Sequence, residues 1–134
     1  MRQGIQTSFL QDALREWGCY FFALLRWAEI LREAEFSEPE ILEAFERCRK
    51  AGWVEDDCFV VNPVAILNCG IELNLFSMVY KAMAEPKQDT FAVYLKKPGH
   101  GHFVLSHKGE IWDSLDPARP GAKDYRIDSY RVIA

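Results

Sequence analysis

The sequence has no apolar run long enough to take the chain into a membrane. A spanning helix needs roughly 18 consecutive apolar residues, and the most apolar segment, residues 19–31, is interrupted by Arg26 and Glu29. The first eight residues also lack the apolar core of a secretory signal peptide. We therefore expect a cytoplasmic protein with no membrane partner.

Positive charge is scarce as well. The chain carries 16 Lys and Arg against 20 Asp and Glu, for a net charge of −4 and a pI near 5.4. Residues 29–57 alone hold ten acidic side chains and four basic ones. Because proteins that bind nucleic acids present clustered Lys and Arg, we expect no nucleic-acid partner. The acidic segment is typical of a solvated helix face.

Cysteine and histidine are few and scattered. The four cysteines form no CxxC pair, so neither a zinc site nor a thioredoxin-like motif is indicated; they are Cys19, Cys48, Cys58 and Cys69. We expect no metal and no cofactor, and thiols that stay reduced in a cytoplasm.

Apolar and aromatic residues are abundant, at 49% and 13% of the chain. With 134 residues, this is enough to bury the core of one domain, 1–134. Helical patterns precede strand patterns, which predicts an α+β fold with N-terminal helices packed on a C-terminal antiparallel sheet. We predict helices over 19–34, 37–51 and 62–70 and strands over 91–95, 102–106, 110–113 and 125–133, while 71–84 fits either type.

Residues 37–70 read as a separate block of helix, strand, turn, strand and helix. Ser37 and Glu40 form a capping-box pattern at its first helix, and Asn62-Pro63 are typical of the start of its second. Short strands are expected at 53–54 and 58–61, around an acidic turn. The pattern predicts a winged-helix-like insertion, whose acidic surface suits scaffolding or a protein partner better than DNA.

Cys19 is the strongest candidate nucleophile. It follows Gly18, which permits a sharp change of direction, and it opens a very apolar helix whose first turns should be buried. A helix N-terminus has unpaired N–H groups and a partial positive charge, which favour thiolate over thiol. The other three cysteines fall on apolar faces or near a helix end.

His102 is the candidate general base for Cys19. It opens a predicted strand directly after Gly101, where glycine lets other groups approach closely. His100 and His107 fall in predicted turns and suit a solvated surface.

Asp113 is the candidate partner of His102. If residues 107 and 108 form the hairpin turn, Ser106 pairs with Gly109 and His102 lies directly opposite Asp113, with Cβ atoms about 5 Å apart. A carboxylate there would orient the imidazole and stabilise its charged form. Asp116 is the alternative acid. For the oxyanion, the Cys19 N–H needs a second donor, for which Gln11 is the nearer candidate and Gln6 the alternative.

Taken in order, these motifs resemble the papain-like cysteine peptidase superfamily. The order is Gln, then Gly18-Cys19 at a buried helix start, then Gly101-His102-Phe103-Val104 on one strand, then the stretch 111–117, Ile-Trp-Asp-Ser-Leu-Asp-Pro, on the next. The resemblance is closest to compact bacterial and phage domains such as the C39-like peptidases. It covers roughly residues 5–34 and 90–134 and leaves 37–70 outside the common core.

The resemblance implies a central helix that carries the nucleophile Cys19 and an antiparallel sheet that carries His102 and then Asp113 or Asp116. The expected function is a cysteine peptidase or related amide hydrolase, which acts on a peptide or amide substrate through a thioester. The alternative is a catalytically inactive papain-like module that binds a protein partner through the acidic 37–70 block.

Overall fold

The computed structural model describes all 134 residues, and helices precede a five-stranded sheet. The helices are α1 (Asp12–Trp17), α2 (Cys19–Arg32), α3 (Glu38–Lys50) and α4 (Pro63–Ile71). The strands are β1 (Val79–Ala82), β2 (Thr90–Lys97), β3 (His100–His107), β4 (Glu110–Trp112) and β5 (Arg126–Ile133). The predicted α+β class with an antiparallel sheet is confirmed.

Helix α2 is the centre of the fold. Residues 21–25 are all buried, as the apolar sequence predicts, and the helix packs against α4 and β3. Gly70 lies against α2 so closely that a Cβ there would be 2.7 Å from the Ala28 Cβ. Gly70 therefore permits close helix packing. The sequence predicted that it would end α4, and that prediction is wrong. The helix ends at Ile71, and Glu72 follows it with a left-handed φ of 58°.

The start signals of α3 and α4 act as predicted. Ser37 and Glu40 form a complete capping box at α3, and the Asn62 side chain accepts the Ala65 N–H at α4. The predicted strand pair between these helices is reduced to one bridge, between Val54 and Val60. Cys58 has a φ of 68° in this loop, and a left-handed residue interrupts an extended strand. The wing of the expected winged-helix-like block is thus absent.

The sheet has the strand order β1-β5-β2-β3-β4, and every pair is antiparallel. The ambiguous segment 71–84 is a loop followed by the edge strand β1, which pairs Val79 with Ile133. A core of 22 buried residues joins the helices to one side of the sheet, and it includes Ile41 and Phe45 of α3. The 37–70 block therefore shares the main core.

The predicted register of the β3–β4 hairpin is wrong by two residues. Ser106 pairs with Ile111, and Leu105 pairs with Trp112. The turn residues are Lys108 and Gly109, whose φ values are 49° and 83°. A two-residue hairpin turn of this type needs positive φ at both positions, which Gly109 supplies without strain. Moving the turn by one residue shifts the partner by two, so each side chain keeps its face of the hairpin.

None of the helices is both long enough and apolar enough to cross a membrane.

Candidate active site

The head of α2 presents Cys19 together with free backbone donors. The Gly18 N–H donates to the Leu14 carbonyl (3.1 Å) and so closes α1, and the Phe22 N–H donates to the Gly18 carbonyl (2.8 Å). The Phe22–Gly18 bond is the first of α2, so the N–H groups of residues 19–21 precede its hydrogen-bond ladder. These donors carry the positive end of the helix dipole, so they suit an oxygen that gains negative charge. No residue larger than glycine fits at position 18, since a Cβ there would be 2.5 Å from the Leu14 carbonyl oxygen.

His102 and Asp113 form a buried pair. Their exposed fractions are 2% and 7%, and the His102 Nε2 lies 2.7 Å from the Asp113 Oδ1. The Leu115 N–H also donates to Oδ1 (2.9 Å), and the Arg119 Nη1 donates to Oδ2 (3.1 Å). The sequence predicted this pairing from a wrong register. The contact forms anyway, because diagonal neighbours on one face of a hairpin are within reach of long side chains.

The Cys19 thiol lies close enough to His102 to interact with the imidazole and to raise its pKa. Burial would lower the pKa of His102, but the hydrogen bonds with Asp113 and with Cys19 outweigh it and raise the pKa to about 9. The imidazole is therefore protonated at neutral pH. Because Nε2 faces Asp113, Nδ1 is the nitrogen that serves Cys19.

Asp113 is held in its charged form. Burial by itself would raise the pKa of the carboxyl, but the hydrogen bond and charge of His102, the Leu115 N–H and Arg119 together lower it. Asp116, the alternative acid, is exposed, and its Oδ1 accepts the Ala118 N–H (2.9 Å) in the turn that follows. The structure thus brings Cys19, His102 and Asp113 together and leaves Asp116 out.

Cys19 lines an open, mostly apolar cleft of about 490 Å³. Its walls come from the loop before α4, from α2 and from the sheet, and they comprise Trp17, Cys19, Tyr20, Cys58, Phe59, Val60, Tyr94, Gly101, Phe103 and Arg131. Trp17 and Phe59 are 66% and 63% exposed. The cleft therefore offers apolar and aromatic surface beside the thiol, with one cation.

Two residues that sequence reasoning did not single out for the site join its two halves. Tyr20 follows Cys19 and Phe103 follows His102, and their rings are stacked at a centroid distance of 3.9 Å and an interplanar angle of 10°. Burial raises the pKa of Tyr20 to about 12. The stack fixes the head of α2 against β3, so it sets the approach of Cys19 to His102. A signal was available, since each aromatic directly follows a candidate catalytic residue.

Neither glutamine proposed for the oxyanion lines the cleft. Gln11 is exposed and precedes α1, where its side chain makes no capping hydrogen bond. Gln6 is fully buried, and both ends of its amide are engaged: Nε2 donates to the Arg15 carbonyl (3.0 Å), and Oε1 accepts from the Ser114 hydroxyl (2.6 Å). Gln6 therefore connects the segment before Cys19 to the segment after Asp113.

The first residues of the chain continue this connection. The Gly4 N–H donates to the Asp113 carbonyl (3.1 Å), and the Gln6 N–H donates to the Ser114 carbonyl (2.9 Å). The Trp112 Nε1 donates to the Met1 carbonyl (3.1 Å). We call residues 1–6 and 112–114 together the clasp. Because the clasp includes Asp113, it fixes the backbone that carries the acid of the site.

His100, His107, Cys48 and Cys69 lie outside the cleft, whereas Cys58 lines it together with Cys19. The His107 Nδ1 lies 2.6 Å from the Thr90 hydroxyl, and His100 is exposed. Burial raises the pKa of the Cys58 thiol to about 12. No three His, Cys, Asp or Glu side chains come together in a group that could hold a metal ion.

Comparison with known families places the whole chain in one of them. The family model described as "Protein of unknown function, DUF261" matches residues 1–134. The chain belongs to that family. No curated protein and no solved structure matches it.

Proposed function

We propose that this member of the DUF261 family is a cysteine hydrolase that cleaves a peptide or another amide through a thioester. The observation that carries the proposal is the buried His102–Asp113 hydrogen bond of 2.7 Å, with the Cys19 thiol beside the imidazole at the head of α2. The finer fold assignment, a papain-like domain closest to the C39-like peptidases, rests on the resemblance of the motifs in the sequence and is part of the same proposal.

In the first half of the reaction, the Cys19 sulfur attacks the carbonyl carbon after its proton has passed to His102. The carbonyl oxygen then takes up the negative charge, and the free N–H groups at the head of α2 are the donors beside it. The imidazolium gives its Nδ1 proton to the leaving nitrogen as the C–N bond breaks. An amine departs and the acyl group stays on Cys19 as a thioester.

In the second half, water replaces the amine. The neutral imidazole of His102 takes a proton from the water, whose oxygen attacks the thioester carbon. The C–S bond breaks, an acid is released, and the Cys19–His102 pair is restored. The Asp113 carboxylate stabilises the charged imidazole throughout and holds its ring by the 2.7 Å hydrogen bond.

The cleft supports a substrate with an apolar or aromatic group next to the scissile carbonyl. Trp17, Phe59 and Val60 offer it a contact surface near Cys19. We therefore place a peptide, an isopeptide or a related amide with such a side chain among the preferred substrates.

The test is labelling of the wild type with a peptide-based electrophile that carries an aromatic residue, with each cysteine resolved by mass spectrometry. We expect Cys19 to react first and Cys19→Ala to abolish the rapid phase. His102→Ala should slow Cys19 by about 100-fold, because a general base typically contributes 10²–10⁴-fold. Cys69 is the internal control, since its rate should not depend on His102. Rapid labelling of Cys48 or Cys58 in place of Cys19 would overturn the proposal.

One observation favours the second candidate, a catalytically inactive module that binds a protein partner through the acidic 37–70 block. The cleft contains no side-chain amide that could act as an oxyanion donor, since Gln6 and Gln11 both lie outside its lining. This alternative predicts that Cys19 labels no faster in the wild type than in His102→Ala. It also predicts that no aromatic amide substrate is turned over at any pH.

A further inference from the structure

A second pair of thiols lies where α3 meets α4, and the proposed hydrolysis does not use it. Cys48 is in the last turn of α3 and is 1% exposed. Cys69 is in α4 and is half-buried. The two thiols lie close enough that each shifts the pKa of the other. Both helices belong to the 37–70 block.

Access to the pair comes from the Cys69 side alone. Cys69 lines a surface cavity of about 380 Å³, together with Arg47, Trp53 and Asn68 among others. Cys48 does not line that cavity. A small reagent can therefore reach the Cys69 sulfur first and meets Cys48 behind it.

Arg47 gives the exposed sulfur a cationic neighbour. Its Nη1 lies 3.5 Å from the Cys69 Sγ. The hydrogen bond from Cys48 and the charge of Arg47 lower the pKa of the Cys69 thiol, while the bond to Cys69 and burial raise the pKa of Cys48. A thiolate beside a cation, with a second thiol nearby, is the arrangement that favours oxidation at one sulfur and resolution by the other.

We propose that Cys69 and Cys48 are an oxidisable pair, in which Cys69 attacks a hydroperoxide and Cys48 then closes a disulfide between α3 and α4. The 3.5 Å contact of Arg47 with the Cys69 sulfur at the wall of an open cavity, and the buried Cys48 thiol near it on the neighbouring helix, carry this assignment. The pair is distinct from Cys19, which has its own base and its own cleft.

The chemistry balances in two steps. The Cys69 thiolate attacks one oxygen of the hydroperoxide, the O–O bond breaks, an alkoxide or hydroxide leaves, and the sulfur becomes a sulfenic acid. The sulfur is oxidised by two electrons and the peroxide is reduced by two. The Cys48 sulfur then attacks the Cys69 sulfur, the S–O bond breaks, and the hydroxide that leaves takes the Cys48 proton as water.

Hydrogen peroxide is the probe, applied to the full chain carrying Cys19→Ala so that the hydrolytic thiol does not compete. We expect the two thiol hydrogens to be lost and a Cys48–Cys69 cross-linked peptide to appear, and a dithiol reductant should reverse both. Digestion should use a glutamate-specific protease, and fragmentation of the linked peptide should assign the cross-link, because Cys58 and Cys69 both lie on residues 56–72. Trypsin is unsuitable, because its cleavage after Arg47 and Arg49 would leave Cys48 on a dipeptide.

Two variants separate the roles of the sulfurs. In Cys48→Ala, which keeps the buried site apolar, the sulfenic acid on Cys69 should persist and be trapped by dimedone. In Cys69→Ser, peroxide should give neither cross-link nor trapped adduct. Arg47→Gln should slow alkylation of Cys69 several-fold at neutral pH, while Arg49→Gln, on the same helix end, should not.

The Cys19→Ala chain, in which Cys48 and Cys69 are both intact, decides the matter even if a variant of the pair folds poorly. Peroxide that leaves Cys48 and Cys69 as thiols, or that links Cys58 instead of Cys69, overturns the proposal. So does a dimedone adduct that forms on Cys48 and not on Cys69.

Discussion

Each oxygen of the Asp113 carboxylate has a separate set of donors. Oδ1 accepts hydrogen bonds from His102 and from the Leu115 N–H, while Oδ2 accepts one from Arg119. The pKa values follow from these contacts, because the charged pair is stabilised on both sides: that of His102 rises to about 9 and that of Asp113 falls. At the scale of single residues, the site is therefore set for a charged imidazole at neutral pH.

Replacement of Asp113 by Asn or by Ala should weaken the stabilisation of the charged imidazole to two different extents. Asp113→Asn keeps an acceptor for Nε2 but removes the charge, so the pKa of His102 should fall from about 9 towards 6.5. The protonated imidazole is populated below its pKa, so the alkaline limb of the pH–rate profile should move to lower pH. Asp113→Ala removes the orientation as well and should lower turnover by about 100-fold or more. NMR titration of the His102 ring and pH–rate profiles measure both effects.

Asp116→Asn is the matched control for this series. Asp116 is three residues away and hydrogen-bonds only within its own turn. The titration of His102 and the alkaline limb should stay where they are. If Asp116→Asn shifts them as far as Asp113→Asn does, Asp113 is not the partner that sets the imidazole.

Local chemistry explains which residues of the site the sequence could indicate. Cys19 follows Gly18 at the start of an apolar helix, and His102 follows a glycine at the start of a strand, so short patterns point to both. The glutamines have no such pattern. Whether Gln6 faces a cleft or fills a core depends on Arg15 and Ser114, and the latter is 108 residues away along the chain.

At the scale of elements, the site depends on how α2 meets β3. The Tyr20–Phe103 stack makes this contact directly beside Cys19 and His102, and Tyr94 lies against the other side of Phe103 at a centroid distance of 4.6 Å. The stack therefore belongs to both catalytic elements. Loosening it should separate the nucleophile from its base before it unfolds the chain.

Phe103→Leu tests this function of the stack. Leucine keeps an apolar contact but cannot stack, and an aromatic pair contributes about 0.5–1.5 kcal/mol beyond its buried area. We expect a modest loss of stability in urea unfolding and a larger loss of kcat, with KM less affected. Tyr20→Leu should act in the same way, and the double variant should be little worse than either single one because both remove one contact.

A second aromatic pair in the sheet provides the control. Phe91 and Tyr130 pack edge-to-face at a centroid distance of 5.6 Å, in the smaller core cluster that does not include α2. Tyr130→Leu should cost a similar stability and leave kcat unchanged. An equal loss of kcat in Tyr130→Leu would mean that general loosening, and not the stack, lowers activity.

The helices and strands could be predicted from the sequence where a few neighbouring residues determine where they begin. The capping box of α3, the Asn62-Pro63 start of α4 and the helix that begins at Cys19 each depend on a few neighbouring residues. The failures are of two kinds. The end of α4 was misplaced because Gly70 serves a contact with Ala28 of another helix. The hairpin register failed because Lys108, a residue that seldom adopts positive φ, does so here.

At the scale of the whole molecule, the first residues of the chain meet the segment that follows β4 beside the site. The clasp ties residues 1–6 to 112–114 through main-chain hydrogen bonds at Gly4 and Gln6 and through the Gln6 side chain. Gln6 also holds the Arg15 carbonyl, four residues before Cys19. The nucleophile from the first part of the chain and the acid from the last part are thus positioned by one buried amide.

Gln6→Met tests the clasp, because methionine has a similar shape but neither a donor nor a strong acceptor. It should leave the Arg15 carbonyl and the Ser114 hydroxyl without their partner, at about 1–3 kcal/mol for each buried group left unpaired. We expect a clear fall in the urea midpoint and a reduced kcat. Ser114→Ala removes one of the same bonds from the other side, so its effect should not add to that of Gln6→Met.

Gln11→Met is the matched control, and it also decides between the two glutamines. Gln11 is exposed and makes no capping bond, so stability should change by no more than about 0.5 kcal/mol and kcat should stay the same.

A side-chain oxyanion donor behaves differently, because its loss costs about 10²–10³ in kcat without unfolding the protein. If Gln11→Met shows that loss at unchanged stability, Gln11 enters the cleft when substrate binds. If instead Gln6→Met loses kcat by this factor at unchanged stability, and Ser114→Ala has no effect, the Gln6 amide donates to the oxyanion and does not stabilise the clasp.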